Sequence, residues 1–148
     1  MKNKLLNADK VRDSSILVEC KRCKTSKPET HFRFDRYEDN GLRYICLLCE
    51  EFSKHKRDCR YRKIETTLTR VEFYTLKSQP CSYCNGSKWT NEELKMNGID
   101  RFDNDHGYHT WNCEPCCFTC NEFKRDKSTQ FITQFWTNFN KVVERRKG

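Results

Sequence analysis

Apolar and aromatic residues along this chain form short groups, and each group predicts a small element of structure. Between residues 32 and 45, apolar and aromatic positions flank Asn40-Gly41, which is a strong turn signal, so a small hairpin is expected there. Residues 50–63 contain neither proline nor glycine and predict a helix. The N-terminal half is therefore expected to hold a hairpin followed by a helix.

The C-terminal half predicts strands between helices. Thr69 and Glu72 have the spacing of a capping box, which indicates a helix that continues to about Lys77. Residues 98–111 combine glycine, aspartate and aromatic residues, and this mixture predicts a strand, a loop and a second strand. A further helix is expected near Glu122.

The last helix is expected to begin at Ser128, whose hydroxyl can serve as its N-cap. Apolar residues recur behind it with helical spacing: Phe131, Ile132, Phe135, Trp136, Phe139, Val142 and Val143. This stripe predicts a packing surface, either against its own module or against a partner. A homodimer through this helix is one such arrangement.

Eight cysteines fall into C-x-x-C pairs, and each pair can offer two thiolates to one metal ion. The pairs are Cys20/Cys23, Cys46/Cys49, Cys81/Cys84 and Cys117/Cys120. Their order predicts two separate sites, the first pair with the second and the third with the fourth. Residues 61–68 are interpreted as a linker, so two modules are expected, 1–66 and 67–148.

Composition decides between zinc and disulfides. Only 35% of the residues are hydrophobic and 34% are charged, so apolar burial needs support from another source. The eleven cysteines cannot all pair within one chain. The N-terminus lacks a signal-peptide core and no apolar run is long enough for a membrane span, which predicts an intracellular protein, in the cytoplasm or nucleus and not secreted. Reduced, clustered cysteines then favour zinc at both sites.

The net charge of +8 makes nucleic acid the leading partner, although a basic surface that only aids solubility would have the same charge. The predicted helix after Cys49 carries the main candidates for phosphate contacts: Lys54, Lys56, Arg57 and Arg60. A solvated helix face is the alternative for these four residues.

The most specific pattern is CSYC at 81–84 followed by GIDRFDNDHGYHTWNCEPCCFTCNEFKRDK at 98–127. Over residues 80–127 the chain resembles the HNH endonucleases, in particular the zinc-stapled subgroup that includes phage recombination endonuclease VII. The resemblance implies an α+β fold, the ββα-metal arrangement of two antiparallel strands and a helix around one divalent metal ion. The first module resembles, more loosely, the zinc-ribbon fingers that precede HNH domains in phage and viral proteins, so a viral origin is an expectation too.

The resemblance also implies roles for individual residues. Asp100, at the end of the first strand, and Asn121, at the start of the helix, would bind Mg²⁺ or Mn²⁺, whose preference for oxygen ligands suits them. Asn112, on the second strand, would brace the loop. Lys124, three residues after Asn121, would contact nucleic acid. The third and fourth cysteine pairs would hold structural zinc.

One position departs from the family pattern. The family has a histidine general base directly after the metal-binding aspartate, whereas this chain has Arg101. Arginine stays protonated and cannot accept a proton, so it could only position the phosphate or stabilise its charge. The base is then sought at His106 or His109, whose ordinary pKa suits the task. Asp103 and Asp105 remain further options.

The sequence therefore predicts a metal-dependent endonuclease that hydrolyses phosphodiester bonds of double-stranded or branched DNA. The alternative is a zinc-finger DNA-binding or recombination accessory protein that retains the HNH scaffold without cutting. The third hypothesis is a structural protein that dimerises through its last helix. The remaining cysteines, Cys59, Cys113 and Cys116, are expected at small buried positions.

Overall fold

The structure, a computed structural model, describes residues 12–84, 90–91, 94–125 and 127–147. Residues 1–11, where no signal-peptide core is predicted, lie outside the described residues. The chain divides into two units, Met1–Asp58 and Cys59–Gly148. The division falls eight residues before the module boundary that was expected after residue 66.

The described residues of unit 1 form two hairpins and a helix. The elements in chain order are β1 (Leu17–Glu19), β2 (Ser26–Pro28), β3 (Phe32–Phe34), β4 (Leu42–Cys46) and α1 (Leu47–Tyr61), whose last turn extends into unit 2. Strands β1 and β2 pair in antiparallel register around the first C-x-x-C pair. The predicted hairpin around Asn40-Gly41 is confirmed by β3 and β4, and Gly41 adopts a φ of 74° that favours glycine.

Unit 2 places two strands between helices. Its elements are α2 (Arg70–Lys77), β5 (Gly98–Arg101), β6 (Cys113–Cys116), α3 (Phe118–Lys124) and α4 (Thr129–Lys147). Strands β5 and β6 pair in antiparallel register, with Asp100 opposite Glu114. Helix α2 packs against both strands and α3 packs against β5.

Both predicted helix caps of unit 2 are confirmed. The Thr69 hydroxyl accepts a hydrogen bond from the Glu72 backbone N–H, and the Glu72 carboxylate accepts one from the Thr69 N–H. Ser128 caps α4, because its Oγ accepts a hydrogen bond of 3.1 Å from the Phe131 N–H. These bonds satisfy N–H groups that the first turn of a helix leaves without partners.

The second strand of the pair begins later than the sequence predicted. Residues Thr110–Asn112 form a 3-10 turn, and β6 starts only at Cys113. The Asn112 side chain forms hydrogen bonds with three backbone groups of residues 103–107 and so ties the end of this turn to the loop after β5. Asn112 consequently lies just before β6 and not on it.

The predicted linker is packed into unit 2. The Thr67 N–H donates to the Tyr108 carbonyl at 3.0 Å, and the Tyr108 N–H donates to the Glu65 carbonyl at 2.8 Å. Gly107 permits this approach, since a Cβ there would lie 2.5 Å from the Glu65 oxygen. Leu68 is buried as well. Residues 65–68 therefore behave as part of the domain and not as a connection between domains.

The apolar stripe of α4 is only partly a packing surface. Ile132 is buried, whereas Phe131, Phe139 and Val142 remain between 42% and 50% exposed. Some packing within the unit does occur, because the Phe123 and Phe135 ring centroids lie 5.0 Å apart. Within the described ranges, no helix combines the length and the apolarity that crossing a membrane requires.

Candidate active site and metal centres

The first cysteine group gathers Cys20, Cys23, Cys46 and Cys49 in unit 1, with all four sulfur atoms within 4.8 Å of one another. Two of the sulfur–sulfur separations are 3.8 Å and 4.0 Å. Four thiolates around a zinc ion, with Zn–S bonds of about 2.3 Å, stand about 3.8 Å apart. The four cysteines therefore fit a structural zinc ion.

The second group gathers Cys81, Cys84, Cys117 and Cys120 in unit 2, again within 4.8 Å. The sulfur atoms of Cys84 and Cys117 are 3.9 Å apart. The knuckle before β5 and the residues around the start of α3 thus meet at one point, where a zinc ion could bind. The predicted pairing of the third C-x-x-C with the fourth is confirmed, as is that of the first with the second.

In each group the electrostatics favour the thiolate form at one cysteine, Cys20 in the first and Cys81 in the second, whereas burial raises the pKa of Cys46, Cys117 and Cys120. Burial raises the pKa of Cys20. Hydrogen bonds from backbone N–H groups, those of Cys23 and Cys46 among them, together lower it by a larger amount, and the resulting pKa is about 6. The same balance of burial against backbone hydrogen bonds brings the pKa of Cys81 to about 7. Thiolate is the form that binds zinc, so these two side chains are prepared for a metal at neutral pH.

The three remaining cysteines, Cys59, Cys113 and Cys116, are all buried and lie outside both groups, as expected. Burial raises the pKa of Cys113 to about 12 and also raises that of Cys116. Both therefore remain neutral thiols at neutral pH. Although Cys116 is adjacent to a ligand, its Sγ points to the Cys117 carbonyl oxygen, 3.4 Å away.

Asp100 and Asn121 come together at one cavity of about 470 Å³. Asp100 lies on β5, one residue before the strand ends, and Asn121 lies in the middle of α3 rather than at its start. The cavity is lined by Arg62, Ile99, Asp100, Arg101, Asn104, Tyr108, Asn121, Glu122 and Arg125. Residues with carboxylate and amide side chains thus line the same concave surface as three arginines, a combination of residue types suited to a hard cation and an anionic substrate.

The Asp100 carboxylate is 5% exposed and has two partners that the sequence did not reveal. The Tyr83 hydroxyl donates to its Oδ2 at 2.7 Å, and the Lys124 ammonium lies 3.2 Å from Oδ1 and 3.1 Å from Oδ2. Burial, followed by this bond to Asp100, raises the pKa of Tyr83, so the phenol stays protonated and donates. The Asp100 carboxylate is therefore already paired with one positive charge, the Lys124 ammonium.

Lys124 is buried, whereas a contact with nucleic acid was predicted for it. Its side chain is buried, and its ammonium also donates to the Arg101 carbonyl at 2.7 Å. In this position it joins the last turn of α3 to β5. The only sequence signal for this role is its spacing from Asn121, and that spacing does not distinguish a surface lysine from a buried one.

The loop after β5 is held from both ends. Asn112 donates to the Asp103 and Gly107 carbonyls, both at 2.9 Å, and accepts from the Asp103 N–H at 2.8 Å. Arg101 donates through Nη1 to the Asn104 and His106 carbonyls. Asn112 thus connects the two ends of this loop, whereas Arg101 both lines the cavity and supports its own loop.

The two histidines predicted as candidate bases, His106 and His109, pack against Trp111 and are not among the residues that line the Asp100 cavity. His106 Nδ1 is 2.9 Å from the Asp103 carboxylate, and the pKa of this carboxyl is lowered first by the backbone N–H of Asp105 and then by His106. His109 stacks on Trp111, and its Nδ1 is 3.0 Å from the Thr67 hydroxyl. The predicted bases are thus not brought together with Asp100 and Asn121.

The cationic helix α1 presents Lys54, Lys56, Arg57 and Arg60 as exposed side chains. Only weak local partners are seen among them. Lys56 lies over the Phe52 ring at 5.6 Å, and Arg57 is 3.9 Å from the Asp58 carboxylate. The four cations therefore remain accessible to a phosphate backbone.

The chain has a small mixed fold of helices and strands with two four-cysteine groups. This fold is similar to that of an HNH endonuclease. The structure resembles that of PacI, a rare-cutting HNH restriction endonuclease, with a TM-score of 0.56 over 88% of this chain and 98% of PacI. The sequence identity is 20%, so the likeness concerns the fold alone. The predicted resemblance to HNH endonucleases is confirmed at that level, while the narrower subgroup of endonuclease VII stays a prediction.

In sequence, the chain is 34% identical over 107 residues to an uncharacterized protein of Acanthamoeba polyphaga mimivirus. The match covers 70% of this chain and 19% of the viral protein. This chain therefore corresponds to a fifth or so of that longer protein. No protein-family model matches the sequence.

Proposed function

We propose that this chain is a divalent-metal-dependent endonuclease that hydrolyses DNA phosphodiester bonds at the Asp100 cavity. The observation that carries the proposal is the meeting of Asp100 and Asn121 with three arginines in one cavity, within a fold similar to that of an HNH restriction endonuclease. Strands β5 and β6 with helix α3 would then be the ββα-metal element.

In this proposal Asp100 and Asn121 hold Mg²⁺ or Mn²⁺, which supplies electrostatic stabilisation of the charge that develops on the phosphate. The carboxylate and amide oxygens of these two residues fit such a cation. Arg62 and Arg125 would bind the phosphate from the cavity wall. Arg101 would also bind it, through guanidinium N–H groups that do not donate to the Asn104 and His106 carbonyls. Asn112 keeps the loop in shape.

Purified protein incubated with supercoiled, linear and branched DNA, with and without Mg²⁺ or Mn²⁺, tests the function directly. Metal-dependent cleavage is expected. Binding without cleavage under every metal condition would instead support the DNA-binding accessory protein. Preference among the three substrates also decides between double-stranded and branched DNA as the natural target.

We expect cleavage to survive replacement of both histidines by glutamine. A general base contributes on the order of 10²–10⁴-fold to rate, and neither imidazole lines the cavity, so the double variant should lose less than about tenfold. The measurement is the single-turnover rate between pH 5 and 8. A larger loss, together with a wild-type rate that falls below about pH 6, would return the base role to His106 or His109.

We also propose that the exposed cations of α1 contact DNA phosphates. Changing Lys54, Lys56, Arg57 and Arg60 to glutamine should then flatten the salt dependence of DNA binding, by about 0.9 in the log–log slope for each lost contact. Fluorescence anisotropy across a salt series measures the slope. The matched control replaces the exposed cations of α4, Lys141, Arg145 and Arg146, by glutamine. If the α1 variant flattens the slope no more than the α4 variant does, the α1 cations form a solvated face and do not contact phosphates.

Two further parts of the proposal concern the surroundings of the protein. The half-exposed aromatic and aliphatic face of α4 would pair two copies of the chain, because contiguous apolar surface of this kind often marks an interface. An intracellular location, in a virus-infected cell, agrees with the viral relative and with reduced zinc thiolates.

A further inference from the structure

We propose that Lys124 is a resident cation of the Asp100 site, and that its ammonium competes with the divalent metal ion and leaves the carboxylate when the metal binds. This inference rests on the proposed function, which puts the metal at Asp100. It assigns to Lys124 control over metal affinity, in addition to any part it plays in packing.

The contacts of Lys124 are those of a built charge site. Its ammonium is 3.2 Å and 3.1 Å from the two Asp100 oxygens and 2.7 Å from the Arg101 carbonyl oxygen. Two of its three N–H donors therefore have acceptors, Asp100 Oδ1 and the Arg101 carbonyl oxygen, and Asp100 Oδ2 is within ion-pair distance. Lys124 is 1% exposed and Asp100 is 5% exposed, so the ion pair is almost completely buried.

Both oxygens of the carboxylate already have a partner. The Lys124 ammonium donates to Oδ1 and forms an ion pair with Oδ2, and the Tyr83 hydroxyl donates to Oδ2. A cation held by Asp100 would stand beside the Lys124 ammonium, and the repulsion between the two positive charges is strong in a buried site.

The surroundings allow the ammonium to leave. Lys124 is the last residue of α3, and its side chain borders an apolar cavity of about 440 Å³ together with Phe123, Ile132 and Phe135. A lysine stem is a flexible chain of four carbons that packs along apolar surface, while its ammonium prefers water. Rotation of the stem along this cavity would separate the ammonium from Asp100.

A purely structural ion pair makes a different prediction. If Lys124 only joined α3 to β5, its removal would weaken folding equally with and without the metal. If it competes with the metal, its removal should tighten metal binding, because Asp100 is left with a full negative charge and no counter-ion. Metal affinity therefore separates the two roles.

The experiment measures Mn²⁺ binding to the whole zinc-loaded chain by electron paramagnetic resonance, for wild type and for Lys124→Gln, Lys124→Arg and Asp100→Asn. Lys124→Gln keeps a hydrogen-bond donor of similar length but removes the charge, and we expect it to lower the Kd for Mn²⁺ by at least about tenfold. Lys124→Arg keeps the charge and should stay within about threefold of wild type. Asp100→Asn should remove the site.

Melting temperature with and without Mn²⁺ is the second readout. Mn²⁺ should raise the melting temperature of Lys124→Gln more than that of wild type, since it replaces the missing counter-ion. A variant that folds only when Mn²⁺ is present supports competition in the same way. A variant that fails to fold under both conditions makes Lys124 a structural group and overturns the inference.

The remaining outcomes distinguish the inference from the function on which it rests. If wild type binds Mn²⁺ at a site that Asp100→Asn removes, but Lys124→Gln binds no more tightly, the inference fails and the proposed metal site stands. If neither wild type nor Lys124→Gln binds Mn²⁺ in a way that depends on Asp100, the proposed metal site itself fails.

Discussion

Replacing Asp100 with alanine is expected to abolish metal-dependent DNA cleavage while leaving DNA affinity largely unchanged. A cation at a developing phosphate charge supplies several kcal/mol of stabilisation, so the rate should fall by about a thousandfold or more. Binding should persist, because the arginines of the cavity and the cations of α1 are untouched. Cleavage rates with Mg²⁺ and DNA affinity with Ca²⁺ give the two measurements. Asn121→Ala should behave in the same way.

The control for this experiment must separate chemistry from folding. Removal of Asp100 leaves the Lys124 ammonium buried without its carboxylate, and breaking a buried ion pair costs about 3–5 kcal/mol. The double variant Asp100→Asn/Lys124→Gln removes both charges and is expected to restore much of that loss in stability. It should fold and bind DNA but still not cut. Undiminished cleavage by this double variant would falsify the metal centre at Asp100.

The second large effect concerns zinc. Cys117→Ser is expected to reduce the zinc content from two ions per chain to one and to unfold unit 2. A structural zinc site with four cysteine ligands contributes about 10–16 kcal/mol of binding free energy, which is comparable to the whole stability of a small domain. Elemental analysis gives the zinc content, and circular dichroism with thermal melting gives the folded fraction.

Cys116→Ser is the matched control, since it makes the same substitution at the neighbouring buried residue. Its cost should not exceed about 3 kcal/mol, because the new hydroxyl can donate to the Cys117 carbonyl that the thiol already faces. Two zinc ions should remain bound. Wild-type protein with one zinc ion or none would contradict the two-site assignment, and equal damage from both substitutions would place Cys116 among the ligands.

The features that the sequence determined by itself are local in the chain. A C-x-x-C pair brings two sulfurs together over three residues, the capping box of Thr69 and Glu72 satisfies N–H groups within one turn, and Asn40-Gly41 closes a tight turn. Each depends on covalent geometry over a few residues, so the pattern alone predicts it. The order of the cysteine pairs then sufficed to predict which pairs come together.

The environment of the candidate site was decided by the tertiary structure. Lys124 meets Asp100 across 24 residues of sequence and Tyr83 meets it across 17, and no spacing rule tells whether such charged or polar groups end in water or beside one carboxylate. The turn before β6 is tied to the loop by the Asn112 side chain, and residues 65–67 pack through backbone hydrogen bonds to Tyr108. In each case the outcome depends on desolvation and hydrogen bonding between distant residues, which exist only once the chain has folded.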